Sequence, residues 1–203
     1  MSDELARHIV DTALVLANRH SWETIRLHEV AEAAGIDLED IRRHFREKDV
    51  LIDAWFDRAD AAMLEDAASV DFRRLPVRQR LERALLTWLG TLQPYRRVTR
   101  EMILAKCEPG HLHIQFPAVM RISRTVQWLR EAAGVKDAFV HRALAESVLT
   151  GIYLAVFTRW LSDDSAESAR THRLLNRLLG QAEWLARTLP GFGAGAPSSR
   201  REL

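Results

Sequence analysis

The stretch Arg42-Arg43-His44-Phe45-Arg46-Glu47-Lys48 gathers four basic side chains and a histidine within seven residues. Such groups bind phosphate oxygens, and an arginine can also grip the acceptor edge of a guanine with two hydrogen bonds. The cluster follows Val30-Ala-Glu-Ala-Ala-Gly-Ile-Asp-Leu-Glu-Asp-Ile41. That spacing fits a helix-turn-helix. Ala31 is small where two helices must cross, Gly35 allows the tight turn, and Ile36 and Ile41 plug the core between the helices. The second helix would then be free to lie in a major groove. The same spacing also fits a plain helical hairpin packed inside a bundle, and the residues alone leave both readings open.

Other chemistry is sparse. Cys107, His111 and His113 form a Cys-x-x-x-His-x-His run. It offers only three ligands for zinc or copper, and no metal is expected there. Cys107 is the single cysteine, so no intramolecular disulfide can form. Neither a Gly-x-Ser-x-Gly elbow, nor a His-Glu-x-x-His pair, nor a phosphate-cradling glycine loop occurs. No catalytic residue, cofactor or enzymatic activity is therefore expected. The second half carries Trp88, Met102, Phe116, Met120, Trp128, Tyr153 and Phe157. Singly these read as core. Together they suit a mostly apolar ligand pocket with a few polar groups. Arg121, Arg124 and His113 could anchor a carboxylate or phosphate, or simply face solvent.

The elements that must position these residues are helical. Leu5, Ile9, Ala13, Leu16 and Ala17 form one apolar helix face. Helices are then expected over about 25–34, 38–45, from Asp49 to beyond Met63, over 76–92, about 99–107, 118–133, 143–161 and 169–189. The segment 108–117 reads as irregular, and Asp164-Ser-Ala-Glu167 reads as a capping box before the last helix. No segment alternates with period two. The fold expected is all-α, with a helix-turn-helix domain over 1–65, a helical domain over 66–189 and a disordered tail over 190–203.

The chain has 203 residues, 47 % hydrophobic and 28 % charged, with a net charge of +1. So small a charge argues against a polyanion-coating protein. The charge is unevenly placed. Residues 1–60 carry 8 Lys and Arg against 14 Asp and Glu, a net of −6; the other 143 carry 21 against 14, a net of +7. No basic start leads into an apolar run, and no 18-residue apolar stretch occurs, so a soluble, cytoplasmic protein without stable membrane association is expected.

Residues 7–63 resemble the N-terminal domain of the TetR family of bacterial one-component regulators. The resemblance rests on Val30-Ala31, Ala34-Gly35-Ile36, Ile41, His44-Phe45, Lys48 and Leu51. The ending His-Phe-x-x-Lys-x-x-Leu is its most specific part. It implies a TetR-like fold with a C-terminal ligand-binding and dimerisation body. The implied function is repression from a palindromic double-stranded operator, by a homodimer joined through helices near 143–161 and 169–189. A small apolar or amphipathic effector would control it.

By the same resemblance, Arg26 and His28 would hold backbone phosphates at the start of the second helix. Arg42, Arg43 and His44 would lie on the recognition helix, and Lys48 would take a phosphate. Two departures stand out. Arg42 replaces the family's usual tyrosine, and Glu39 and Asp40 are acidic where the family prefers small or hydroxyl residues. Carboxylates in a first turn favour the helix dipole and repel phosphates. The second half also resembles, in outline, a lipid-binding family of ubiquinone biosynthesis with the same fold and no DNA recognition. That likeness runs through Leu92-Gln-Pro-Tyr95, Glu108-Pro109, Tyr153 and Trp160-Leu-Ser-Asp-Asp-Ser165.

Overall fold

The computed structural model describes the backbone of residues 2–106, 112–135 and 139–188, and the side chains over 3–105, 121–135 and 145–188. Among them are ten α-helices and no strand. They are α1 (Ser2–Arg19), α2 (Leu27–Ala34), α3 (Leu38–His44), α4 (Lys48–Ala67), α5 (Val70–Arg74), α6 (Val77–Leu92), α7 (Arg96–Lys106), α8 (Leu112–Ala133), α9 (Phe139–Leu161) and α10 (Ala169–Thr188).

The first three helices form a small head. Ile9, Val10, Ala13, Leu14 and Ala17 recur at three- and four-residue spacing on α1 and are buried. They meet Val30 and Ala31 of α2, Ile41 of α3, and Phe45 just beyond it. Gly35 ends α2 at φ 67°, where only glycine is unstrained, and lets α3 turn off at once. The long α4 leaves the head and enters the body. Leu51, Ile52, Trp55, Phe56, Ala59 and Met63 are buried along it, against α6 and α8.

The helix expected over 76–92 ends at Leu92, and a 3-10 turn over Gln93–Tyr95 carries the chain directly into α7. One expectation about the elements is corrected. The segment expected to be irregular over 108–117 is helical from Leu112, with Pro117 in the second turn of α8. Proline's fixed φ of about −65° is compatible with a helix, so the chain can pass through Pro117 at the loss of its hydrogen bond to the carbonyl four residues back. The cap of α10 also differs from the expected box. Both Asp163 carboxylate oxygens cap the turn, accepting from Ser165 N and Oγ at 3.1 and 2.6 Å and from Thr171 N and Oγ1 at 2.8 and 2.6 Å. Glu167, expected to close the box, lies at φ 50° beside Ser168 at φ 55°. Cys107, His111 and the tail over 190–203 lie outside the described residues, as does the side chain of His113.

Candidate functional site

The corner α2–Gly35–α3 presents α3 outward. Ile41 is buried and holds the helix to the head; Leu38, Glu39, Arg42 and Arg43 are exposed. The helix is framed by its own carboxylates. Asp40 Oδ2 accepts from Asp37 N at 3.4 Å, closing the first turn. Arg42 donates from Nε and Nη2 to the two Glu39 oxygens at 2.6 and 2.7 Å. Arg43 adds Glu39 at 3.4 Å and Asp40 at 3.5 Å. The Arg42 bond holds the Glu39 carboxyl below its ordinary pKa despite an opposing desolvation effect, and Glu39 in turn raises Arg42. The acidic positions therefore do more than offset the helix dipole: they orient both arginines along the helix surface.

The remaining expected phosphate ligands are placed differently from one another. Arg26 and His28 are exposed at the start of α2, and Glu29 folds back onto Arg26 N at 2.6 Å. His44 is half-buried beside Phe45, with ring centroids 6.3 Å apart. Lys48 is turned inward. Its ammonium donates to the carbonyls of Trp22, Glu23 (3.3 Å) and Ile25 (2.8 Å), and it stands 4.9 Å from the Trp22 ring centroid. Burial, with help from Arg26, lowers its pKa. Backbone carbonyls are invisible as side-chain partners in a sequence, so this role was not legible there.

The head is also tied to α7. Trp22 N donates to Glu101 Oε2 at 2.8 Å, and Arg97 Nη2 donates to the carbonyls of Ala17 and Asn18 at 3.1 and 2.7 Å. Trp55 Nε1 on α4 donates to Thr99 Oγ1 at 3.0 Å.

In the body, Trp88, Met102, Tyr153 and Phe157 are buried. Three of them form one packed aromatic cluster with Phe56 and Trp160: Trp88 stacks on Phe56 at 5.8 Å and meets Tyr153 and Phe157 edge-on at 5.4 Å. Trp128 lies on the exposed side of α8. Phe116 and Met120 are on α8, with side chains outside the described residues. A cavity of about 260 Å³ opens elsewhere, between α6, α8, α9 and α10. Of the expected residues whose side chains are described, none lines it. Its described walls are Val, Leu, Ile and Ala, with Arg78, Arg130 and Glu183.

Arg121, a candidate anchor for a ligand carboxylate, is instead bound to the protein's own. It reaches Asp60 Oδ2 at 2.9 Å and also pairs with Asp57. Asp60, buried on α4, also accepts from Trp88 Nε1 at 2.8 Å and Thr125 Oγ1 at 3.0 Å. Burial raises its pKa against the pull of Arg121 and these hydrogen bonds. This knot joins α4, α6 and α8. The sequence signal for it was a single carboxylate on the apolar face of α4.

No protein-family model and no curated protein matches the chain. Solved structures do. A TetR transcriptional regulator from Nitrosomonas europaea is 49 % identical, over 89 % of this chain and 99 % of that one, with a TM-score of 0.80. A TetR regulator from Rhodococcus sp. RHA1 (17 % identity, 88 % and 98 % coverage, TM-score 0.61) shares the fold. So does one from Streptomyces coelicolor (17 %, 95 % and 86 %, TM-score 0.65). High identity over nearly the whole of both chains, on an all-helical body behind an exposed α3, settles the family and with it a non-enzymatic role. The chain belongs to the TetR family of transcriptional regulators.

Proposed function

We propose that the protein is a cytoplasmic repressor that binds a palindromic operator as a homodimer, with one α3 in each of two major grooves. The carrying observation is α3 itself, held by buried Ile41 and presenting the exposed Arg42 and Arg43 at the outer surface of the head. Arg26 and His28, exposed at the start of α2, would hold phosphates beside it. Residues 1–65 would be the reading head and 66–189 the control body.

Dimerisation is assigned to the outer faces of α9 and α10. On α9, Gly151, Leu154, Ala155 and Thr158 are exposed at helical spacing; on α10, Trp184 is 66 % exposed beside Leu185. Apolar side chains exposed on two neighbouring helices are what a partner copy would cover. A small apolar or amphipathic effector bound in the body would favour one spacing of the two heads, and so shift the population that fits the operator.

The test is fluorescence anisotropy at two salt concentrations, against the DNA flanking the gene and against random duplex, followed by selection from random DNA. Saturable binding with preference for one palindrome is expected. No preferred sequence from selection would overturn operator binding and move the reading to a TetR-fold lipid or isoprenoid carrier, tested by extracting bound hydrophobic molecules. Sedimentation should give a dimer that Trp184→Asp weakens.

A further inference from the structure

We propose that the cavity between α6, α8, α9 and α10 is the effector site, and that it takes a small amphipathic carboxylate whose anion sits on Arg130. This deepens the ligand control proposed above and rests on it. The apolar walls come from three of these helices: Leu81 of α6, Val148, Leu149 and Ile152 of α9, and Leu179 and Leu185 of α10. Burial of a hydrocarbon body there is favoured by the area it removes from water.

The polar groups on the wall fix the sign of the ligand. Arg130 is only 5 % exposed, and its Nε has no hydrogen-bond partner. Its Nη1 reaches Glu146 at 3.4 Å, a weak contact for a buried charge. Arg78, also on the wall, has a buried Nε without a partner. Glu183 is the acid on the described wall, and Arg78 at 3.6 Å and Arg187 at 2.7 Å already engage it. Among the described residues, the buried side-chain atoms that lack a partner are all arginine Nε donors. An uncompensated buried donor is costly, so the ligand group that fits must bring acceptors. A carboxylate can meet the Nε and Nη donors of a guanidinium side by side.

Size narrows the class. An engineered cavity of about 150 Å³ holds a benzene molecule. By that yardstick this cavity takes roughly ten non-hydrogen atoms. Octanoate and phenylacetate are both of that order. The ligand would touch α6 and α8 on one side and α9 and α10 on the other. The last two helices are those assigned to the dimer contact, so occupancy would bear on how the two heads are spaced.

The experiment is calorimetric titration of the full chain with octanoate and phenylacetate, and with octanol and 2-phenylethanol as uncharged counterparts. The acids should bind saturably, at least tenfold more tightly than the alcohols. Arg130→Met should bring the acids down to the alcohols' level, while Ile152→Trp, which fills the cavity, should abolish binding of all four. A diazirine analogue of octanoate should cross-link to peptides spanning 145–152 or 179–186, a readout in the unaltered protein that does not depend on either variant folding. Equal affinity for acid and alcohol, no saturable binding by any probe, or cross-links confined to other helices would overturn the assignment. None of these readouts uses DNA. Their failure leaves operator binding standing, and a bound acid that leaves operator affinity unchanged would sink the regulatory role.

Discussion

Arg42 reaches back one turn along α3 and closes two parallel hydrogen bonds onto Glu39, at 2.6 and 2.7 Å. The side chain proposed to meet DNA is thus already paired, in the fork geometry a guanine or phosphate would otherwise receive. Both side chains are exposed, so water and salt screen the pair and bound DNA would compete for it.

The first prediction follows from that competition. Glu39→Gln should release Arg42, and with Asp40→Thr should release Arg43. Operator affinity should rise several-fold, and each further phosphate neutralised should steepen the slope of log affinity against log salt by about one. Anisotropy titrations over a salt series measure both. Weaker binding in the double variant would mean that the carboxylates themselves contact bases, for instance a cytosine amino group.

Lys48 gives a prediction of a different kind. Its ammonium collects three carbonyls of the α1–α2 connection. Hydrogen bonds to a charged donor are stronger than neutral ones, and Lys48→Met leaves the acceptors unmatched. The change should destabilise the protein by about 2 kcal/mol in urea unfolding. Loss of operator binding with unaltered stability would instead show a direct phosphate contact.

Asp60 and Arg121 form a buried pair. Removing one member strands the other, so Asp60→Ala should cost about 3 kcal/mol, and Asp60→Leu with Arg121→Met should recover most of it. The pH dependence has a definite sign. Burial raises the Asp60 pKa, so the part of its contribution linked to titration is fully present below the ordinary aspartate value of about 3.9 and is lost as pH rises through the folded value. The cost of stranding Arg121 is separate. Stability curves of wild type and Asp60→Asn should converge on one another or cross as pH is raised from about 4.

Asp163 runs the other way. Burial opposes ionisation, but hydrogen bonds from Ser165 and Thr171 prevail and hold its carboxyl well below the ordinary range. Its contribution is present above about pH 3.9 and fades as pH falls through the folded value. Asp163→Ala should destabilise by roughly 2–3 kcal/mol at neutral pH. Asp163→Asn should lose the part of the acid-unfolding slope that falls below about pH 4. An unchanged acid limb would show that Asp163 carries no part of it.

Much of the head was legible from residue spacing, because its contacts are local. Ile9, Ala13 and Ala17 mark one face of α1, and Gly35 is a backbone requirement visible as a residue type. The Arg42–Glu39 pair is likewise an i,i+3 relation that a helix imposes. The body was legible only as apolar. Trp88, Tyr153 and Phe157 have the composition of a pocket wall but fill the core, whereas the cavity is walled by Val, Leu and Ala that read as ordinary packing. Residue type does not reveal whether two apolar faces touch. Asp60 and Arg121 are 61 residues apart, and only the crossing of α4 and α8 joins them.

The joint between head and α7 is asymmetric in its atoms. On the head it uses main chain: the amide of Trp22 and the carbonyls of Ala17 and Asn18. On α7 it uses the side chains of Arg97 and Glu101. Every residue has a carbonyl and all but proline an amide hydrogen, so the head's side of the joint survives almost any change of side chain. A lineage could acquire a new target site by rewriting α3, or a head could be grafted from a relative, without renegotiating the socket that holds it. Drift at Arg97 or Glu101 has no such freedom, and there a single substitution would loosen every head the body could carry.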